Sequence, residues 1–545
     1  MSLVRRVLES DAAVLLSFAF FLVGSVQKSQ KDVNAVFAFL IAFAVVALYV
    51  SHSLTHRLVA HWRMLPLMIG FGLQHIHSSE ECALMYIIPA FVTVILVFIL
   101  PVSPPAVLIG KYTCIGTTSF NISNTESDDH CMHNIPVQCW FPMKEKKKTS
   151  TSPPKAMLWT SGNPMEQERE IFALLNAIAQ NQRLPSFLLK HLALTRSNSI
   201  FCHDLTDLSD TEKIYPVIIY SHGMYGWRQI HHTACEKLAS EGFVVFAMDH
   251  KPDSTLARPY KDSDGNRSFD FNTPSGSTLK QDHSFHAEGI NRRKRQILTL
   301  LQFLPSTSTR LDLSSVFYFG HSFGGGTCAS VACTQKEGVK GVIVLDGWFY
   351  PLDSLTRKEG SNAPMLMLSS HKWPSAKWQC PYRLELCESS KNKSKLVIDM
   401  ILTESNHQNF CDSHYIASHF LMKGGALLGK ADNPKDVIDA IDACIVGFFK
   451  YCLLYDGGTE FHDFEKSSIN LEYFAATYYL SEHAQTSGKI SAKRIRQHIT
   501  YLQTRSKSSV ELKKLQPLQC SAELESDIGD TLIYDDSYFN KTKDW

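Results

Sequence analysis

The stretch Gly320-His321-Ser322-Phe323-Gly324-Gly325-Gly326 constrains this chain more than any other. Residues 315–319 before it (Ser315-Val316-Phe317-Tyr318-Phe319) read as a buried strand, and the small residues 327–332 after it suit a tightly packed helix. A serine between two glycines at a strand-to-helix turn needs neighbours with almost no side chain. The backbone at the serine is then forced into a sparsely populated conformation, with the hydroxyl at the C-terminal edge of the sheet.

Apolar runs alternate with helical patterns on either side of this turn. Residues 217–220, 243–248, 342–345, 365–368 and 396–402 read as strands, and helices are expected near 235–241 and around Ile290, Ile297, Leu298 and Leu301. Residues 251–282 read as a long loop. Continuous apolar strands separated by helices indicate a mostly parallel sheet covered on both faces, with function gathered beyond the strands' carboxyl ends. Strand, G-x-S-x-G and helix in that setting predict an α/β-hydrolase domain.

The first hundred residues have a different character. Residues 33–50 are apolar or small apart from Asn34, and residues 83–100 carry only Thr93 and Tyr86 as polar side chains. A bilayer core takes about 20 apolar residues, with a lower limit near 17. These two segments are read as membrane spans, with 12–26 as a third and the weaker 65–73 as a fourth candidate. Three spans would put the large domain on the non-cytosolic side and four would keep it in the cytosol. The expected organisation is therefore a multi-span region over 1–110, a linker over 111–134, a catalytic α/β domain over 135–455, and a partly helical extension over 456–545. Two to four spans with no charged side chain inside them are too few for a typical inverted-repeat transporter core.

The net charge of +1 and the lack of a basic stripe argue against a nucleic-acid partner. The 14 cysteines form no C-x-x-C pairs, and His231-His232 with Cys235 lacks a second ligand cluster, so neither a metal nor a cofactor is expected. Disulfides are left open. The run Arg292-Arg293-Lys294-Arg295 is read as the solvated face of a helix, with contact to a substrate phosphate as the alternative. The segment 184–192 is either a lipid-facing apolar surface or a core helix.

A serine hydroxyl needs a base, the base needs an orienting acid, and the oxyanion needs fixed N–H donors. In this fold the acid and then the histidine follow the serine along the chain. Asp346 directly follows the strand 342–345, whereas the next strand ends in Ser369-Ser370-His371 without an acid. His407 lies on the loop after the strand 396–402. His371 comes one strand too early, and His414 and His419 fall in an expected helix. Donors to the oxyanion are expected from the backbone of Phe323 and, in the turn Ser221-His222-Gly223-Met224-Tyr225-Gly226, of Met224.

Four motifs, Tyr220-Ser221-His222-Gly223-Met224, Gly320-His321-Ser322-Phe323-Gly324-Gly325, Leu345-Asp346-Gly347-Trp348 and His407-Gln408-Asn409-Phe410, together resemble the platelet-activating factor acetylhydrolases of the plasma and type II intracellular group. Residues 137–142 add a weaker likeness. The resemblance implies Ser322 as nucleophile, His407 as general base, Asp346 as its orienting acid, and oxyanion donors at Met224 and Phe323. It also implies calcium-independent phospholipase A2-type cleavage of the sn-2 ester of phosphocholine lipids carrying an acetyl, short or oxidised acyl chain. The multiple spans and the tail beyond Asp456 depart from the better-known relatives. A phospholipase A1, a general lipase or carboxylesterase, or an inactive hydrolase-like membrane interaction protein are the alternatives.

Overall fold

The computed structural model describes residues 110–144, 155–181, 184–209, 212–251, 256–261, 267–271, 283–335, 337–370, 373, 380–394, 396–402, 405–412 and 434–454, together with 92, 93, 95, 96 and 489–490. Apart from five of its residues, the expected membrane region lies outside these. Among the described residues no helix is long and apolar enough to cross a membrane.

Twelve strands are described: β1 Ile115–Ile122, β2 Ile135–Pro142, β3 Ser199–Phe201, β4 Tyr215–Ser221, β5 Val244–Met248, β6 Leu256–Lys261, β7 Arg267–Phe271, β8 Leu311–His321, β9 Val339–Leu345, β10 Met365–Ser370, β11 Val397–Leu402 and β12 Lys489–Ile490. Seven helices accompany them: α1 Gln167–Asn181, α2 His232–Ser240, α3 His283–Phe303, α4 Phe323–Thr334, α5 Ser354–Glu359, α6 Cys380–Lys391 and α7 Pro434–Leu454. Ten strands form one sheet in the order β12-β11-β10-β9-β8-β4-β5-β2-β1-β3. Pairing is parallel from β12 through to β5, while β2 runs antiparallel to both β5 and β1.

The central strands are apolar on both faces because helices cover both. Along β8, Phe317 and Phe319 point into one core and Val316 and Tyr318 into the other. This is the period-two alternation of a strand. The first core meets α2 through Cys235 and Leu238 and α7 through Ile445, Phe448 and Phe449. The second meets α3 through Ile297 and Leu300, α4 through Cys328 and Ala329, and α6 through Leu386. Cys139, Cys235, Cys328 and Cys452 pack in these cores as small apolar side chains.

Three expectations are corrected. Residues 111–134, read as a linker into a first strand pair, already contain the first strand of that pair, β1, which pairs in register with β2 from Ile115↔Pro142 to Ile122↔Ile135. Its short polar residues (Thr117, Thr118, Ser119) hid it, although Thr117 and Thr118 are buried and hydrogen-bonded to the carbonyls of Cys139 and His203. Residues 251–282, read as a loop, contain the antiparallel pair β6–β7. The tail beyond Asp456 also contributes to the sheet, because β12 pairs with the edge strand β11. In the segment 184–192, Leu189 and Leu192 of the 3-10 helix Ser186–Leu194 are buried against α1, while Phe187 of that helix and Leu184 before it are exposed.

Helix α7 is anchored to the sheet by Phe449, whose ring meets those of Phe243, Phe317 and Phe319 at 6.2, 5.2 and 6.3 Å. Replacing a fully buried phenylalanine with alanine removes its transfer free energy and leaves a cavity. Phe449→Ala is expected to destabilise the fold by about 3–5 kcal/mol in urea unfolding. A change below about 1 kcal/mol would show that α7 is not part of the cooperative core.

Candidate active site

Ser322 occupies the turn between β8 and α4 with φ 56° and ψ −120°. Such a backbone is costly for a residue with a Cβ. Hydrogen bonds hold it from two sides. Its N–H donates to the Leu345 carbonyl at 2.9 Å, and its carbonyl accepts from Trp348 N at 2.9 Å and Gly326 N at 3.1 Å. The two glycines of the G-x-S-x-G pattern are demanded by close backbone approach. A Cβ at Gly320 would lie 2.3 Å from the Gly324 carbonyl oxygen, and one at Gly324 would lie 2.1 Å from that of Ser221. Only side-chain-free residues let α4 dock onto the ends of β4 and β8.

Asp346 follows β9 with φ 46° and is fully buried. One carboxyl oxygen accepts from Ser370 N at 2.6 Å, and the other accepts from Ser370 Oγ at 2.7 Å and His407 Nδ1 at 2.8 Å. His407 begins the 3-10 helix His407–Phe410, which Asn406 and Asn409 close as a capping box. Its ring is stacked under Trp373 at 4.0 Å and lies 4.5 Å from the ring of His321, the residue before Ser322. Trp373 is itself tied down by a 3.0 Å bond from its Nε1 to the Gly347 carbonyl. With Nδ1–H donating to Asp346, Nε2 carries the lone pair. Asp346 and His407 are therefore bonded to each other, and the backbone of Ser322 is bonded to the residues that flank Asp346.

The turn after β4 closes the other side. A Cβ at Gly223 would lie 3.3 Å from Ser322 Cβ, so this turn abuts the serine. Met224 sits in the turn half-buried, and Phe323, at the first position of α4, is buried. The Gly223 carbonyl accepts from Gly226 N at 3.0 Å and His222 Nδ1 at 2.6 Å. His222 Nε2 accepts from His250 N at 3.2 Å, and the His250 ring bridges Ser221 Oγ at 2.8 Å and Gln296 Oε1 at 2.9 Å. Burial, reinforced by the Arg293 charge, holds both imidazoles well below the usual histidine range, so both are neutral.

The basic run on α3 requires a correction. Arg295 does face solvent and Arg292 is partly buried, both near Asp129 and Glu288. Arg293 is fully buried, donates to the carbonyls of His222 and Gly223, and stacks over the Phe323 ring at 4.7 Å. A signal for this was present in the sequence, since Arg293 shares a helical stripe with Ile290, Ile297 and Leu300. Trp373 and Ser370 had no such signal. His371, His414 and His419 lie outside the described residues. His231 and His232 are buried in structural contacts, His231 Nδ1 with Tyr220 Oη at 2.6 Å and His232 Nε2 with Glu236 at 3.1 Å.

A family model described as platelet-activating factor acetylhydrolase, isoform II, matches residues 127–309 and 291–466. The matched residues make up more than half of the chain. The chain belongs to this family. All the site residues above fall within the match. A platelet-activating factor acetylhydrolase from Gallus gallus is 22% identical over 266 residues, 43% of this chain and 61% of that protein. One from Canis lupus familiaris is 28% identical over 267 residues, 43% of this chain and 55% of that protein. A putative phospholipase A2 from Schizosaccharomyces pombe is 24% identical over 292 residues, 45% of this chain and 63% of that protein. The chain thus spans somewhat more than half the length of each of these relatives.

Within the segment shared with the acetylhydrolase family, the loop carrying His407 is tied back at Asp412. This buried carboxyl accepts from Trp159 Nε1 at 3.3 Å, Thr233 N at 3.2 Å and the Thr233 hydroxyl. Burial outweighs these donors and raises its pKa from the ordinary 3.8 to about 7. The unfolded chain loses this proton near pH 4 and the folded one only near pH 7, so the group's contribution to stability declines as pH rises across that window. Asp412→Asn keeps the shape and does not titrate. Its unfolding free energy relative to the parent is expected to increase from about pH 4 to about pH 7 in urea titrations. A pH-independent difference would contradict the assignment.

Proposed function

We propose that the chain is a membrane-anchored serine esterase that hydrolyses the sn-2 ester of phosphocholine lipids bearing an acetyl, short or oxidised acyl chain, platelet-activating factor among them. The observation that carries this reading is the 2.8 Å bond between His407 Nδ1 and buried Asp346, at the sheet edge where Ser322 is held in its strained turn. The names of the relatives support the substrate class, and the apolar runs within residues 1–110 support the anchor.

In this mechanism Ser322 Oγ attacks the ester carbonyl while His407 Nε2 takes the hydroxyl proton. The carbonyl π electrons move to oxygen, and the oxyanion is received by the N–H groups of Phe323 and Met224. Asp346 keeps the imidazole in the required tautomer and stabilises the imidazolium that forms. His407 then protonates the lysophospholipid alkoxide as the ester bond breaks. Water, activated by the same imidazole, clears the acyl-serine. No step draws on a metal or a cofactor. The exposed Leu184 and Phe187, beside a buried helical turn, offer apolar contact to a lipid surface.

Membranes containing the full chain are expected to release acetate and a lysophospholipid with its sn-1 chain intact from 1-alkyl-2-acetylglycerophosphocholine. Ser322→Ala should lower this turnover by about 10⁴-fold or more at unchanged expression and melting temperature. Full activity in Ser322→Ala would sink the assignment of the nucleophile. Release of the sn-1 chain from a diacyl substrate would instead favour a phospholipase A1.

A further inference from the structure

We propose that Arg293 is a positioning residue for the oxyanion site, one that aims the Met224 N–H by fixing the carbonyls of the two preceding residues. The inference rests on the reading of Ser322 as nucleophile. A trans peptide is planar, and its C=O and N–H point in opposite directions. The Gly223 carbonyl and the Met224 N–H belong to one such plane. That carbonyl is held by His222 Nδ1 at 2.6 Å, Gly226 N at 3.0 Å and Arg293 Nη2 at 3.4 Å. Arg293 Nη1 holds the His222 carbonyl as well, so one guanidinium fork spans both peptide units. With its carbonyl end fixed, the plane presents the Met224 N–H away from Arg293, on a turn whose Gly223 abuts Ser322.

The same guanidinium lies 4.7 Å from the ring centroid of Phe323, the residue that supplies the second N–H. Arg293 thus touches both segments that carry the oxyanion donors. Burying a guanidinium is costly, and its charge acts at low dielectric on whatever forms nearby. A cation at the carbonyl end of an amide polarises that amide and strengthens its N–H as a donor. In the transition state the bond from Ser322 Oγ to the carbonyl carbon forms, the π pair moves to oxygen, and the serine proton goes to His407. The negative charge on that oxygen is what the aligned amide meets. His222 and His250, which face this cluster, are neutral, and the positive charge nearest the two carbonyls is that of Arg293.

The test uses the full chain in membranes and the acetyl phosphocholine substrate, with Arg293→Met, Arg293→Lys and Ser322→Ala. Arg293→Met is expected to lower kcat by roughly 10- to 100-fold, somewhat less than loss of a donor, with KM within about threefold. Arg293→Lys keeps the charge and loses the fork, and should fall between the parent and Arg293→Met. A trifluoromethyl ketone analogue adds reversibly to the serine and places an oxyanion in the same site. Its inhibition constant should weaken across the variants in proportion to the loss of kcat/KM. A rise in KM at constant kcat would overturn the proposal, as would undiminished ketone affinity in a variant with reduced kcat. Should Arg293→Met not fold, ketone affinity in Arg293→Lys decides, and parent-like affinity there overturns the proposal. Retained turnover in Ser322→Ala would remove the nucleophile reading itself. A dead Ser322→Ala beside fully active Arg293 variants would remove this inference alone.

Discussion

Ser322 keeps a left-handed backbone only because hydrogen bonds from two neighbouring segments hold it. Its N–H is bound by Leu345 and its carbonyl by Trp348 and Gly326. A strained residue of this kind costs of order 1–3 kcal/mol, and each backbone hydrogen bond returns about 0.5–1.5 kcal/mol. The conformation therefore persists only while β9, the turn after it and the start of α4 are all in place. β9 and the turn after it also flank Asp346, so the contacts that strain the serine register the acid against it.

Two buried polar groups then divide the work around that turn. On one side Asp346 is held by both donors of Ser370 and carries His407, whose ring is enclosed by Trp373 and His321. On the other side neutral His222, itself bound by His250 N, and Arg293 hold the carbonyls of the turn after β4. Neither side tolerates a missing partner, since an unpaired buried polar group loses its solvation without compensation. The apolar cores above and below the sheet supply the rigidity that both sides need. Electrostatic preorganisation of this kind requires donors that do not move as charge develops.

The central strands and the turn at Ser322 were legible in the sequence because their signals are local. A strand buried on both faces is a continuous apolar run, and G-x-S-x-G is a packing requirement written in adjacent residues. Asp346 and His407 were legible as residues at strand ends, where chain order and sheet geometry bring distant positions together. β1 was obscured because its inward residues include threonines satisfied by hydrogen bonds rather than by apolar contact. Arg293 was obscured by its neighbours, since a run of four basic residues looks solvated unless each is assigned to its own side of the helix. Trp373 is positioned by a carbonyl and a ring that only the folded chain brings near.

In this mechanism the Ser322 hydroxyl is the atom that becomes acylated. Intact protein in membranes is treated with a fluorophosphonate and digested for peptide mass mapping. A single added phosphonyl group is expected on the peptide containing Gly320-His321-Ser322-Phe323-Gly324, localised to Ser322 by fragmentation. An adduct on another residue of an active preparation, or turnover that persists without any adduct, would contradict the mechanism.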